Sequence, residues 1–250
     1  MIVFATYNIK GGVGKTATAV NLAYLSARDG VRTLLWDLDP QGAASFYFRI
    51  RPRVEGAGED LACGRLPAAE LVRATDFEDL DLLPADLSYR HLDLALATTA
   101  APAGQLRSLL EPLEAEYERV FIDCAPSISL VSESLFRAAD VLLVPTIPTT
   151  LSLRTLEQLE DHLERDGPAR PPLLLPFFCM VDRRKALHRV IRARARAASP
   201  RFLRSEIPYS SVVEQMGVYR APVPVFARNS AQARAYEELW LEILSRLPPS

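Results

Sequence analysis

A glycine-rich segment near the beginning of the chain has the residue types that are needed to bind phosphate. The segment reads Lys10-Gly11-Gly12-Val13-Gly14-Lys15-Thr16. Glycines reach backbone angles that are closed to other residues, so successive N–H groups can turn toward phosphate oxygens. The spacing therefore predicts a phosphate-binding loop, with Lys15 at the β- and γ-phosphates of a nucleotide and the Thr16 hydroxyl on Mg²⁺.

The segments on either side of this loop predict a strand and a helix. Residues 2–7 are apolar, and residues 17–25 have helical periodicity. A strand, a tight loop and a helix form the context in which such a loop binds nucleotide, because the helix N-terminus adds partial positive charge. An empty glycine-rich turn is the alternative, and the combination of glycines with Lys15 and Thr16 argues against it.

Carboxylates follow two more predicted strands. Residues 31–36 lead to Asp37 and Asp39, and residues 120–123 end in Asp123. In open parallel sheets, ligands bind at the carboxyl ends of the strands, so these acids are expected beside the loop. Together with Thr16 they are the predicted Mg²⁺ ligands, directly or through water, and they are suited to position an attacking water. A turn that merely ends a strand is the alternative for Asp37 and Asp39.

The remaining pattern predicts an α/β fold, with a mostly parallel twisted sheet and helices on both faces. Further strands are predicted at 80–84, 140–145 and 173–181, and further helices at 87–96, 104–116, 151–165 and 231–247. Residues 49–79 carry a short helical pattern at 67–74 and are expected to form a surface excursion. The whole chain, residues 1–250, is expected to be a single domain.

The composition is that of a globular protein. Of the 250 residues, 49% are hydrophobic and 24% are charged, and the net charge is −2. This balance argues against a protein that coats nucleic acid over its whole surface, but it allows a local basic patch. The three cysteines show no paired spacing, and the chain has neither a signal-peptide pattern nor a membrane-length apolar run. We therefore expect a cytoplasmic location, with or without association with the nucleoid.

A second lysine at the beginning of the loop makes the motif specific. With Lys10 included, the loop resembles the deviant Walker A motif of the ParA/MinD family of P-loop ATPases. The resemblance runs nearly end to end: residues 39–42 are similar to the switch I of that family, 123–127 to its Walker B and switch II, 180–183 to a nucleotide-side motif, and 207–231 to the C-terminal portion of ParA.

This resemblance implies a homodimer that encloses ATP and Mg²⁺ between its subunits. Lys10 would reach the phosphates bound by the partner, Asp39 would orient the attacking water, and Asp37 and Asp123 would keep the metal in register. The residues implied to contact nucleotide are Gly11, Gly12, Val13, Gly14, Lys15, Thr16, Ala17, Met180, Asp182 and Pro208. Ala17 and Cys179 depart from the family pattern, which puts a phosphate contact and the reading of the adenine edge in doubt.

The two branches of the family differ in the surface that they bind. The MinD branch uses an amphipathic C-terminal tail on membranes, whereas prolines at 248 and 249 would end such a tail here. Between residues 183 and 204 there are nine arginines or lysines and no acid. A helix at 185–197 would place a basic stripe opposite Leu187, Val190 and Ile191, suited to sequence-independent DNA binding. The predicted DNA-binding residues are Arg183, Arg184, Lys185, Arg189, Arg192 and Arg196.

Three functions follow from the resemblance. The first is a slow, DNA-associated ATPase that positions DNA or a protein cargo and is activated by a ParB-like or cargo-adaptor protein. The absence of a recognition helix ahead of residue 2 favours the short, Soj-like form of ParA. The second is a nucleotide-switched scaffold that regulates a secretion or chemotaxis assembly without DNA. The third, a metabolic enzyme on the same scaffold, is disfavoured by cysteines that lack iron–sulfur spacing.

Overall fold

An eight-stranded sheet forms the centre of the protein, in a computed structural model that describes residues 1–51 and 57–248. The strands are β1 Ile2–Thr6, β2 Thr33–Asp37, β3 Arg73–Ala74, β4 Leu80–Leu83, β5 Arg119–Asp123, β6 Val141–Thr146, β7 Leu173–Val181 and β8 Glu206–Pro208. Their order across the sheet is β3-β4-β2-β5-β1-β6-β7-β8. Every neighbouring pair is parallel except β3 with β4. The predicted fold class is confirmed.

Helices cover both faces of this sheet. They are α1 Lys15–Arg28, α2 Ala43–Tyr47, α3 Ala57–Ala62, α4 Ala68–Leu71, α5 Leu92–Ala97, α6 Gln105–Leu110, α7 Leu130–Ala138, α8 Thr150–Arg165, α9 Ala186–Ala198, α10 Ser211–Glu214, α11 Met216–Tyr219, α12 Val223–Phe226 and α13 Ala231–Arg246. Short 3₁₀ turns at Leu87–His91, Pro102–Gly104 and Glu111–Leu113 replace parts of two predicted helices.

The period of two along the strands divides the core into two layers. In β1, Val3 and Ala5 join the layer that includes α5 to α9, while Phe4 joins the layer beneath α1 and α13. All three side chains are fully buried, as expected for a central parallel strand that is covered on both faces. The loop that follows β1 is thereby attached to the buried centre of the sheet.

Trp240 fastens α13 to the sheet. Its ring lies 5.7 Å from that of Phe4 and 5.8 Å from that of Phe121, and Phe4 and Phe121 stack on each other at 4.9 Å. The indole N–H donates to Asp29 Oδ2 at 2.9 Å. The face of α13 that carries Tyr236, Leu239 and Trp240 therefore packs into the core. Among the described residues, no helix combines the length and the apolar character that crossing a bilayer requires.

Several elements of the structure differ from those that the sequence predicts. Helix α7 and strand β8 were not predicted, and β8 is too short at three residues to show periodicity. The expectation of a surface excursion at 49–79 is wrong for the described part of that segment, because Leu61 and Leu71 are buried in the core. Residues 52–56 of the segment lie outside the described residues, as does the proline at position 249.

The attachment of α13 predicts a large effect of truncating its anchor. Trp240→Ala should lower the free energy of unfolding by about 3–5 kcal/mol, because it removes a buried ring and leaves a cavity. Leu241→Ala on the same helix removes a side chain that is 65% exposed and should stay within about 0.5 kcal/mol of wild type. Urea unfolding followed by circular dichroism measures both, and equal losses would contradict the packing role.

Candidate functional site

The glycine-rich loop crosses from β1 to α1 in a conformation that requires two of its glycines. Gly12 and Gly14 have φ angles of +68° and +96°, in the left-handed region that favours glycine. A Cβ on Gly14 would also lie 2.8 Å from Cys179 Sγ, which is too close for a substituted residue. Gly14 is the N-cap of α1, so the N–H groups of the first helical turn point into the loop.

Asn8 holds the beginning of the loop through two hydrogen bonds, although no sequence motif marks it. Its Nδ2 donates to the carbonyl of Pro145 at 2.9 Å, and its Oδ1 accepts from the backbone N–H of Lys10 at 2.9 Å. The side chain is buried. Asn8 therefore ties the loop to the end of β6. An asparagine between a strand and a glycine run was the available signal.

The two lysines of the loop occupy different environments. Lys15 is 7% exposed, and its burial lowers the pKa of the ammonium, against the opposing pull of the Asp123 carboxylate. Lys10 is partly exposed at the other end of the loop. One lysine therefore lies inside the site of its own chain, and the other is accessible from outside.

Two predicted metal ligands, Asp37 and Asp123, lie side by side in the interior. They are direct partners in the register of β2 with β5, and both side chains are fully buried. Asp37 Oδ2 accepts two hydrogen bonds from Ser45, from the backbone N–H and the hydroxyl, each at 2.7 Å. Asp123 Oδ1 accepts from the Thr6 hydroxyl at 3.4 Å. Each carboxylate thus has one oxygen that is engaged.

The other oxygen of each carboxylate, Asp37 Oδ1 and Asp123 Oδ2, is buried and has no hydrogen-bond partner within the described residues. Burial raises the pKa of both groups, and the Asp37 charge raises that of Asp123 further. Unpaired buried carboxylate oxygens are costly, and a cation beside them removes the cost. These residues therefore fit a magnesium ion.

The protein does not supply a complete metal site by itself. Within the described residues, no group of three or more His, Cys, Asp or Glu side chains is arranged to hold an ion. Mg²⁺ in nucleotide enzymes takes one or two protein ligands and completes its shell with water and phosphate oxygens. Two residues suit that arrangement: Asp123, whose Oδ2 has no hydrogen-bond partner within the described residues, and Thr16, which lies in the first turn of α1.

Asp39 lies in the turn that connects β2 to α2. Its Oδ1 accepts from the Gln41 N–H at 2.9 Å, and its carbonyl accepts from the Gly42 N–H at 2.9 Å. Gly42 has a φ of +65° and caps α2. Ser45 lies in α2 and donates two hydrogen bonds to Asp37. No sequence motif marks this residue. The same short helix therefore supports both acids.

A small cavity of about 70 Å³ adjoins the loop on the side of β7 and β8. Four of the residues predicted to contact nucleotide line it: Gly14, Ala17, Met180 and Pro208. Asp182, predicted with them, is not among the lining residues, because its carboxylate is bound by Arg184 at 3.0 and 3.1 Å. Cys179 and Tyr236 complete the floor, and both are buried. We call this space the base cavity.

Known proteins share these features over nearly the whole chain. A family profile described as an AAA domain matches residues 1–165. The chromosome partitioning protein ParA of Caulobacter vibrioides is 34% identical to this chain over 251 residues, covering 98% of this chain and 94% of that protein. The chain belongs to the ParA/MinD family of P-loop ATPases. The sporulation initiation inhibitor protein Soj of Bacillus subtilis is 29% identical, with coverage of 96% and 97%.

A solved structure with bound nucleotide is also similar to this ParA/MinD family member. Cobyrinic acid a,c-diamide synthase from Mycobacterium smegmatis, with bound ADP and magnesium, has a TM-score of 0.79 and is 26% identical, covering 98% of this chain and 94% of that chain. Binding of a nucleotide and magnesium is thus found in a protein that shares the fold of this chain.

Helix α9 carries most of the basic segment of this ParA/MinD family member. Leu187 and Val190 are 57% and 51% exposed, whereas His188, Ile191 and Ala195 form the buried face of α9. The predicted helix is present, with its basic stripe opposite Leu187, Val190 and Ile191, but only Ile191 of these three is buried, because α9 packs on the sheet through a stripe rotated from Leu187 and Val190.

Four of the predicted DNA-binding cations are engaged within the chain. Arg192 and Arg196 lie 3.1 and 3.3 Å from Glu206, Arg183 lies 3.9 Å from the same carboxylate, and Arg184 pairs with Asp182. Lys185 and Arg189 are exposed, and neither forms an ion pair with a described residue. The charge of this segment is thus partly used to attach α9 to β8.

The buried acid pair predicts a pH dependence of stability. Because the pKa of Asp123 is raised in the native state, its contribution to stability is full below the ordinary value of 3.8 and is lost as pH rises through the raised value. Asp123→Asn should therefore lose less stability than wild type between about pH 5 and about pH 8, measured by urea unfolding without nucleotide. Asp76→Asn, an exposed control, should keep the wild-type slope, and a slope unchanged by Asp123→Asn would refute the assignment.

Proposed function

We propose that this protein is a slow, Mg-ATP-dependent ATPase that dimerises around its nucleotide and positions DNA or a protein cargo. The different environments of its two loop lysines carry the proposal. Lys15 is buried beside Asp123 and suits phosphates bound in its own chain, whereas Lys10 is accessible to a second subunit. Full-length similarity to ParA and Soj supports the same class of function. We also propose that the whole chain acts as one ATPase domain.

The residues of the site divide the work of ATP hydrolysis. The N–H groups of residues 11–17 and the Lys15 ammonium bind the phosphate chain, and Asp39 orients a water in line with the γ-phosphorus. Lys10 of the partner subunit stabilises the negative charge that develops on the phosphate oxygens. Thr16 and Asp123 would hold Mg²⁺, with Asp37 behind them, and the ion would supply positive charge that offsets the charge of the phosphates.

A cavity rich in arginine supports DNA binding. It has a volume of about 570 Å³ and lies between α9, β8 and α13. Five arginines line it: Arg183, Arg192, Arg196, Arg204 and Arg234. Only two carboxylates among the described residues, those of Glu206 and Glu238, line the same cavity, so its net charge is positive. Phosphates of a DNA backbone suit such a surface, and the exposed Lys185 and Arg189 extend it.

The proposed partner is a ParB-like or cargo-adaptor protein that stimulates hydrolysis, and the proposed location is the cytoplasm at the nucleoid. A nucleotide-switched scaffold without DNA is the second candidate, because ion pairs with Glu206 already occupy three of the five arginines. DNA binding separates the two functions. ATP-locked Asp39→Ala protein is the bait that would capture the activator in a pull-down.

Replacing Lys15 with alanine should affect ATP binding, whereas replacing Lys10 should affect dimerisation and turnover. Lys15→Ala should weaken ATP binding about 10-fold to 100-fold, since it removes a charge-assisted contact of about 1.5–3 kcal/mol. Lys10→Ala should bind ATP within about twofold of wild type but lose ATP-dependent dimerisation and at least about 10²-fold in turnover. Titration calorimetry, light scattering and phosphate release measure these effects.

Arg165→Ala is the control for that comparison, because it removes an exposed cation that is paired with Asp161 on the surface of α8. It should match wild type in all three measurements. Wild-type turnover in Lys10→Ala would refute the shared site, and the absence of ATP hydrolysis by the wild-type protein would refute the ATPase itself.

DNA binding should depend on Lys185, the N-cap residue of α9, and on Arg189 within that helix, since neither forms an ion pair with a described residue. Lys185→Ala/Arg189→Ala should weaken ATP-dependent DNA binding equally for all sequences and reduce the salt slope by about 2, since two phosphate contacts are lost. Arg107→Ala/Arg165→Ala removes the same charge elsewhere and should leave the slope unchanged. Gel shifts at several salt concentrations measure the DNA affinity and its salt slope. Equal DNA binding by both double variants would exclude α9 from the DNA-binding surface.

A further inference from the structure

Two arginines far apart in the sequence adopt a backbone conformation that is rare for their residue type. Arg49 has a φ of +61° and Arg220 a φ of +49°. The left-handed region is costly for residues with a long side chain, and such residues persist where surrounding contacts hold them. Arg49 follows α2, and Arg220 ends α11. Neither belongs to the site described above.

The two arginines bind each other's segments. Arg220 Nε donates to the carbonyl of Phe46 at 3.1 Å, and its guanidinium lies 4.4 Å from the centre of the Phe46 ring. Arg49 Nη2 donates to the carbonyl of Tyr219 at 3.1 Å. The contact is reciprocal, since each guanidinium reaches a backbone carbonyl close to the other arginine. We call Arg49 and Arg220 the arginine clamp.

One side of the clamp holds the helix that supports the acidic residues. Helix α2 contains Ser45, which gives both of its hydrogen bonds to Asp37, and it begins directly after the Asp39 turn. The Ser45 hydroxyl also accepts from the Ala85 N–H at 2.9 Å. A displacement of α2 would therefore move the Ser45 donors away from Asp37 and change the turn that carries Asp39.

The other side of the clamp belongs to the segment that lines the base cavity. Residues 207–210 and 213–214 line the cavity, and the chain then continues through α11 to Arg220. Asn21 of α1 fastens this segment, because its Oδ1 accepts from the Val223 N–H at 2.8 Å and its Nδ2 lies 3.3 Å from Met216 Sδ. The segment is thus held at the cavity, at α1 and at α2.

We propose that Arg49 and Arg220 are positioning residues for ATP hydrolysis. They hold α2, and with it Asp37 and the Asp39 turn, against the segment that lines the base cavity. The clamp connects occupancy of the base cavity to the carboxylates that act at the other end of the nucleotide. Neither arginine lines the cavity itself. This inference rests on the proposed ATPase function.

Glycine variants test the clamp without adding backbone strain. Arg220→Gly and Arg49→Gly remove the guanidinium while glycine accepts the left-handed angle freely. Each should lower kcat about 10-fold to 10²-fold, because small displacements of positioning groups are costly to the reaction, while the Kd for ATP changes less than about twofold. The double variant should lose no more than about as much as either single variant, since both act through one contact.

A second measurement does not depend on activity. Hydrogen exchange of the α2 amides, including Ser45, should accelerate in nucleotide-free Arg220→Gly, while exchange in β1 and β5 stays at the wild-type rate. Asp79→Gly is the matched control, because Asp79 is also left-handed, with a φ of +56°, and lies outside the clamp. It should match wild type in kcat and in α2 exchange.

The outcomes separate the clamp from the function on which it rests. Wild-type kcat and wild-type α2 exchange in both glycine variants would overturn the clamp. A parallel fall of kcat, ATP affinity and thermal stability would also overturn it, since that pattern marks a merely structural role. If the wild-type protein hydrolyses no ATP, the proposed function fails, and α2 exchange in the nucleotide-free variants still decides whether the clamp exists.

Discussion

The burial of two carboxylates at neighbouring strand ends is the constraint on which the rest of the site depends. The pairing of β2 with β5 places Asp37 and Asp123 together in the interior, where each charge is costly. Ser45 and Thr6 satisfy one oxygen of each, and the buried Lys15 ammonium offsets part of the charge. A cation beside the two unpaired oxygens would offset the remaining cost, so the acid pair suits a metal ion.

The glycine loop follows β1, which pairs with β5, and therefore begins next to this acid pair. Its left-handed glycines allow the chain to pass so close to Cys179 that Gly14 tolerates no side chain. The same approach brings the loop against the base cavity, so Gly14 and Cys179 both line that cavity. Cys179 contributes its sulfur atom to this contact. The sulfur is buried, and burial raises the pKa of its thiol to about 12, which keeps it protonated and suits it to packing.

The basic segment shows how charge count and charge availability differ. The nine arginines and lysines between residues 183 and 204 predict a stripe that binds DNA, but three of them form ion pairs with Glu206 of β8. Glu206 is the first acid after this run of residues in the sequence. The sequence alone does not show that its carboxylate lies beside α9. A parallel strand brings it there, and helical periodicity alone carries no information about such a neighbour.

The sequence by itself determined the fold class, the phosphate loop and the central strands β1, β2, β5, β6 and β7, since their signals are local: glycine spacing, apolar runs and terminal acids. It also held a missed signal for α7, where Ser129 and Ser132 form a capping box. Only the tertiary structure decided which side of α9 is buried, that Ser45 binds Asp37, and that Arg49 meets Arg220. Those contacts join residues distant along the chain, and packing selects them by shape and by the need to pair buried polar groups.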